Sequence, residues 1–131
     1  MNTTFIKILF TSFLLALTTS LYAQTQKQEP KTPEEAAVEQ ALKLQQSLKL
    51  SDYQLFYVDS ILQANFVGQY QEFEKMKTSG LQSQKSYEDV YNKWKSKTED
   101  AFEKILDKAQ FEKFLKLSGV SAKERKQRLA K

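Results

Sequence analysis

The chain has 131 residues, a formal net charge of +4 at pH 7, no cysteine and no histidine. Without these two residue types it lacks the commonest ligands of zinc, copper and haem and the usual activated nucleophiles, and it has no disulfide. A chain of this length supports one hydrophobic core and is too short for two. The composition therefore predicts a single domain that is stabilised by packing or by pairing with a second copy, with no metal and no cofactor.

The N-terminus has the features of a secretory signal peptide. Lys7 is followed by an apolar run that ends at Leu17, and small polar residues then lead to Ala23. This order predicts a signal peptide over residues 1–23 that is cleaved before Gln24. A permanent membrane anchor is the weaker alternative, because the run is about half the roughly 20 residues that a spanning helix needs. We therefore expect an exported protein with no transmembrane segment in the mature chain.

Residues 24–31 contain no large apolar side chain, and this composition predicts a disordered leader. The first helix begins after it. Thr32 supplies the N-cap hydroxyl, Pro33 suits the first helical position, and Glu35 completes a capping box. This helix is expected to run to about Lys49.

A second helix-start signal follows directly. The Ser51 hydroxyl can cap the Gln54 amide while the Gln54 side chain reaches back to the Ser51 amide. Leu50 can close over Leu55 as a hydrophobic staple. These residues predict a sharp bend and then a long second helix that ends near Gly80, where glycine can adopt the left-handed conformation.

A third helix is expected to begin between Ser83 and Ser86. Its apolar residues recur at three- and four-residue steps, which places them on one side of the helix. That side comprises Tyr87, Val90, Tyr91, Trp94, Thr98, Ala101, Phe102 and Ile105.

The helix-start signal then recurs before a fourth helix. Asp107 is the cap, Gln110 stands at the third helical position, and Leu106 faces Phe111 as a staple. Gly119 is the expected stop of this helix. No segment has the pattern of a strand, so the sequence predicts an all-α fold of four helices that are bent at two capping motifs.

The helical domain is expected to occupy residues 32–119, and residues 120–131 form a basic tail in which the only acid is Glu124. Such a tail is typical of nucleic-acid binding, but an exported protein seldom meets nucleic acid, so a solvated helix end is the favoured interpretation. Attraction to an anionic membrane surface or an acidic partner is a third interpretation.

Neighbouring carboxylates are the remaining candidates for catalysis, since a pair of them can hydrolyse a glycosidic bond. The candidate groups are Glu34/Glu35, Glu72/Glu74, Glu88/Asp89 and Glu99/Asp100/Glu103. Each lies among lysines on a predicted exposed helical face, where ion pairing explains it. The sequence has no glycine-rich phosphate loop and no acidic calcium loop. We therefore assign no catalytic, cofactor-binding or metal-binding residue and expect a protein that is not an enzyme.

Aromatic residues are the informative feature of the second helix. Besides its main apolar stripe, Phe56 and Val67 lie on one flank, and Tyr57 and Ile61 lie almost behind it. Two interpretations fit this pattern. Part of the surface is buried against another chain or left open for a ligand, or the first helix covers it within one core. These four residues are the candidate client or dimer surface.

The pattern Leu-(Ser/Thr)-x-x-Gln occurs at Leu50-Ser51-Asp52-Tyr53-Gln54 and, with Asp as the cap, at Leu106-Asp107-Lys108-Ala109-Gln110. These two copies resemble the paired motif of the Spy/CpxP periplasmic proteins, and the likeness covers about residues 40–117. The resemblance implies a periplasmic protein whose four bent helices pair into an elongated, cradle-like homodimer. Metal-binding relatives use histidine or cysteine, which this chain lacks.

The resemblance also implies a function. The expected role is that of an ATP-independent periplasmic chaperone or stress protein, which holds unfolded or partly folded proteins on an apolar, Lys-flanked helical surface. The alternative is a dedicated protein-interaction module, such as an inhibitor of an envelope-stress sensor or a subunit of an envelope assembly.

Overall fold

The computed structural model describes residues 30–80 and 82–130, and this part of the chain is all-helical, as the sequence predicts. In chain order the helices are α1 (Pro33–Leu48), α2 (Asp52–Ser79), α3 (Gln84–Ile105), α4 (Lys108–Leu117) and α5 (Ala122–Leu129). The predicted signal peptide and most of the predicted leader lie outside the described residues. None of these five helices is both long and apolar enough to cross a membrane.

The helix starts are those that the sequence predicts, because each is fixed by local hydrogen bonds. Thr32, Ser51 and Asp107 each accept from the backbone amide three residues on, and the Glu or Gln at that position accepts from the cap amide in return. Ser83 caps α3 through the amide of Ser86. Three complete capping boxes thus define the starts of α1, α2 and α4.

The ends of α1, α2 and α4 use left-handed residues. Lys49 follows α1 with a φ of 54°, and its amide donates to Gln45 O. Gly80 and Gly119, the two predicted stops, have φ values of 73° and 77°. A Cβ at either glycine would meet no neighbouring atom, so backbone conformation alone favours glycine there.

One core holds these helices together. Helix α1 packs on α2, α2 packs on α3, and the short α4 packs against α1 and α3. Phe102, Leu115 and Val58 have the largest fully buried side chains of the described residues. The buried cluster otherwise comprises Ala37, Ala41, Leu44, Leu48, Leu50, Leu62, Leu106, Phe111, Phe114 and Val120.

The distal half of the α2–α3 hairpin is held by aromatic contacts. Phe73 and Tyr87 lie with ring centroids 5.4 Å apart. The Trp94 indole lies directly against the backbone of α2 at Gly68, where an added Cβ would come within 2.2 Å of the ring. Only glycine allows this approach, so Gly68 fixes the distance between the two helices.

The C-terminal tail and one carboxylate differ from the prediction. The tail was expected to be a solvated helix end, but it contains a fifth helix, which Ser121 caps through the amide of Glu124 and whose Arg128 bonds to Glu99. Glu99 was expected on an exposed face, but its exposed fraction is only 2%. The prediction considered ion pairs within one helix, whereas α5 supplies the partner. Tyr91, predicted on the apolar side of α3, is exposed instead.

Candidate binding surface and motif junction

The two predicted motifs meet in space. Gln54 Nε2 donates to Gln110 Oε1 at 2.6 Å, and Gln110 Nε2 donates to Gln54 Oε1 at 3.1 Å. Gln54 Nε2 also donates to Ile105 O at 3.2 Å, and Gln110 Nε2 donates to Leu48 O at 3.3 Å. Each glutamine thus joins the start of its own helix to the end of the helix that precedes the other motif.

The two glutamines bond across this junction in addition to completing the capping boxes of their own helices. The sequence predicts only the local bonds, in which Gln54 Oε1 accepts from Ser51 N and Gln110 Oε1 accepts from Asp107 N, both at 3.1 Å. The four cross-junction bonds connect residues more than fifty positions apart. The only signal for them in the sequence is that the same motif occurs twice.

The apolar motif residues lie where staples are expected. Leu50, Leu106 and Phe111 are buried in the core, and Leu55 is half-buried against it. The apolar motif residues therefore lie in or against the core, while the caps Ser51 and Asp107 are exposed and Leu55 also lines a surface groove described below.

The four residues of the predicted surface divide into two groups. Phe56 is 67% exposed and Tyr57 is 38% exposed, whereas Ile61 and Val67 are half-buried. Ile61 packs against the core. The first helix therefore does not cover this part of α2, and the open surface is centred on the aromatic residues of its first two turns.

Tyr53 extends this surface. It is as exposed as Phe56, and its ring centroid lies 4.7 Å from that of Tyr57. The ring of Phe56 meets the ring of Tyr57 edge-on at 5.4 Å. The three rings form one exposed cluster, which includes Phe56 and Tyr57 of the predicted surface and adds Tyr53.

On one side of Phe56 the surface is a groove between α1 and α2, of about 460 Å³. We call it the Phe56 groove. Its lining residues are Val38, Ala41, Leu42, Asp52, Leu55, Phe56 and Asp59. Val38 and Leu42 of α1 are both exposed. The charged lining residues are the two aspartates, so the lysine-flanked surface that we expected is not found on this side.

On the other side, Tyr57 and Ile61 line a shallower depression between α2 and α3, of about 320 Å³. We call it the Tyr57 depression. Lys97 is its one charged lining residue, and the remaining lining residues are Ser60, Ala64, Asn65 and Ala101. The two flanks of the aromatic cluster therefore carry opposite charge.

A third space, of about 260 Å³, lies among α1, α2, α3 and α4. Glu99 lines it, and Glu99 Oε2 accepts from Arg128 Nη1 at 2.5 Å, a contact that raises the pKa of Arg128. Glu99 Oε1 has no hydrogen-bond partner among residues 30–80 and 82–130, although Lys95 Nζ lies 3.9 Å away. Since the carboxylate is already paired, this arrangement is that of a structural ion pair.

Among the described residues, no three or more acidic side chains are grouped in a way that would hold a metal ion. In comparisons with known proteins, no family model, no curated protein and no solved structure matches this chain. The likeness of its two motifs to those of the Spy/CpxP proteins therefore stays a prediction.

Proposed function

We propose that this protein is an exported, ATP-independent chaperone that holds unfolded or partly folded proteins on the apolar surface of α1 and α2. One observation carries the proposal: Tyr53, Phe56 and Leu42 are each at least half exposed and lie on two adjoining helices. Contiguous apolar surface of this kind on a small domain marks a site of contact with another molecule. The signal peptide and the resemblance to Spy/CpxP proteins support the same role in the periplasm.

The chemistry of the surface suits many different clients. Tyrosine combines an apolar ring with a hydroxyl that exchanges hydrogen bonds with water or with a peptide, so it tolerates varied sequences. The open rings stand on the rigid first turns of α2, which the motif junction anchors through Gln54. The surface is therefore presented without an ordering cost in the chaperone itself.

The proposal includes a homodimer. The Asp52 and Asp59 carboxylates would repel their own copies if two Phe56 grooves faced each other across a two-fold axis. The Tyr57 depression carries a single charge and several small residues, which allow two helices to approach closely. We therefore place the dimer contact at the Tyr57 depression and the client contact at the Phe56 groove.

Light scattering tests the chaperone role. Chemically denatured citrate synthase, malate dehydrogenase and α-lactalbumin are diluted with and without the mature protein in the absence of nucleotide. Suppression of aggregation at substoichiometric ratios for all three is the expected result. Phe56→Ser should weaken it strongly, whereas Leu117→Ser, at an apolar residue of α4 that is also more than half exposed, should not.

No suppression with any client would overturn the proposal. In that case a tight complex with a single envelope protein would identify the chain as a dedicated interaction module, such as an inhibitor of an envelope-stress sensor or a subunit of an envelope assembly.

A further inference from the structure

The Phe56 groove has a distinctive combination of apolar walls and negative charge. Asp52 and Asp59 line it, and neither Lys nor Arg is among its lining residues. Glu34 stands one turn before Val38 on α1, so it lies on the same side of that helix. An exposed apolar groove is thus lined by two carboxylates of α2, and a further acidic residue stands one turn from its α1 wall.

The spacing of the α2 residues places these charges beside the exposed ring. Asp52 precedes Phe56 by four residues and Asp59 follows it by three, so all three lie on one helical face. A cation over the Phe56 ring would meet the electron-rich face of the ring and a carboxylate on either side. The two kinds of attraction act together at one position.

Asp59 retains capacity to accept a hydrogen bond. Its Oδ2 accepts from Gln63 Nε2 at 2.7 Å, while its Oδ1 has no partner in the part of the chain that the structure describes. Because this Oδ1 is buried, a lysine ammonium or arginine guanidinium can donate to it only after the surrounding side chains move.

We propose that the Phe56 groove selects polypeptide segments in which apolar residues are interspersed with lysine or arginine. This inference rests on the proposed function and names its preferred clients. The apolar side chains of the segment pack on Val38, Leu42 and Leu55, and its cations pair with Asp52 and Asp59. An acidic segment of the same hydrophobicity is repelled by the same two carboxylates.

Charge complementarity also decides against a second copy of this chain as the occupant. A two-fold contact through the groove would bring Asp52 and Asp59 of one protomer against the same acidic surface of its partner. Like charges in a desolvated contact are unfavourable, whereas a cationic segment neutralises them.

Fluorescence anisotropy with two labelled peptides tests the inference on the mature protein. Both peptides carry leucine at every third or fourth position, and the remaining positions are lysine in one and glutamate in the other. We expect the lysine peptide to bind at least about tenfold more tightly at low salt, with a preference that shrinks as salt is added. The double variant Asp52→Asn/Asp59→Asn should abolish most of the preference.

Asp100→Asn/Glu103→Gln is the matched control, because it removes two exposed carboxylates from α3 instead. It should leave the preference unchanged. Asp59→Asn alone should reduce the preference in part. This single variant serves as the test if circular dichroism shows that the double variant has lost helix content.

Equal binding of the two peptides, or an undiminished preference in the folded Asp59→Asn variant, would overturn the inference. If aggregation is still suppressed in that case, the chaperone role stands without this selectivity. If the lysine peptide binds selectively but no denatured client is held, the groove stands as a specific docking site and the chaperone role fails.

Discussion

The side-chain amides of Gln54 and Gln110 hydrogen-bond to each other in both directions, at 2.6 and 3.1 Å, across a separation of 56 residues in the chain. Each also accepts from the backbone amide of its own N-cap residue. Each helix that follows a motif is therefore tied to the other motif as well as to its own cap. The two turns therefore form one hydrogen-bonded unit.

The glutamine pair should behave as a coupled unit in unfolding experiments. Gln54→Ala removes bonds to Ser51, Ile105 and Gln110 and leaves partly buried groups unpaired, so we expect a loss of about 1–3 kcal/mol. In urea denaturation, Gln54→Ala/Gln110→Ala should cost clearly less than the sum of the single variants. Gln46→Ala, at an exposed position of α1, is the control. Additive effects of the two alanines would contradict the coupling.

Arg128 should stabilise the domain through Glu99. Arg128→Gln leaves a carboxylate with an exposed fraction of 2% without its partner, and since water reaches the arginine side chain we expect a loss of about 1–3 kcal/mol. Lys126→Gln removes the same charge from an exposed position of the same helix and should change stability by less than about 0.5 kcal/mol. Melting temperatures that fall equally in both variants would show that the tail acts only through its net charge.

Gly68 should be intolerant of even one methyl group. In Gly68→Ala the new Cβ would lie 2.2 Å from the Trp94 ring, so the indole or α3 must move, at a cost of about 1–3 kcal/mol. Because Trp94 is the single tryptophan, its fluorescence reports the displacement directly. The double variant Gly68→Ala/Trp94→Leu should lose less stability than the sum of the losses in the two single variants. An unchanged emission spectrum in Gly68→Ala would contradict the close packing.

Local and long-range features differ in how far the sequence predicts them. The helix starts at Thr32, Ser51 and Asp107 depend on atoms three residues apart, so the sequence contains the whole arrangement. The burial of Glu99 depends on Arg128 of another helix, and a sequence pattern within α3 cannot indicate that partner. The cap of α5 is present in the sequence as Ser121 followed by an acid three residues later, but the basic residues 120–131 were interpreted as a solvated helix end.

Only part of the candidate surface could be predicted from the sequence, because its other part again depends on a contact between two helices. The exposure of Phe56 and Tyr57 follows from a helix that is apolar nearly all round in a thin domain, which a helical projection shows. The groove beside them does not follow, because it depends on which face of α1 lies next to α2, whereas its two aspartates stand four residues before and three residues after Phe56 on α2 itself. The expected lysine border stays a prediction, since Asp52 and Asp59 line the Phe56 groove on one flank and Lys97 lines the Tyr57 depression on the other.

Trp94 should report the protonation of Glu72. Lys93 Nζ and Trp94 Nε1 donate to the Glu72 carboxylate at 2.7 and 2.6 Å, and these bonds lower the pKa of Glu72 below its ordinary value of 4.5. A lowered pKa means that Glu72 contributes stability above pH 4.5 and loses this contribution as the pH falls through its folded-state value.

Tryptophan emission should therefore change in an acid titration at a pH below 4.5. Lys93→Gln should move this transition upward, toward the ordinary value, whereas Lys85→Gln on an exposed part of the same helix should not. Glu72→Gln should remove the transition. A transition that stays in place in Lys93→Gln would show that the lysine does not hold the carboxylate in its charged form.

The homodimer should depend on the Tyr57 depression. We expect the mature protein to sediment at twice its chain mass at micromolar concentration. Ala64→Glu places a carboxylate at an exposed position of this depression, where its two-fold copy would lie close by, so it should produce a monomer that keeps its helix content. Ala109→Glu adds the same side chain to an exposed position of α4 and should leave the dimer intact. A wild-type protein that sediments as a monomer would rule out the dimer, and the Tyr57 depression would then be a second open surface beside the Phe56 groove.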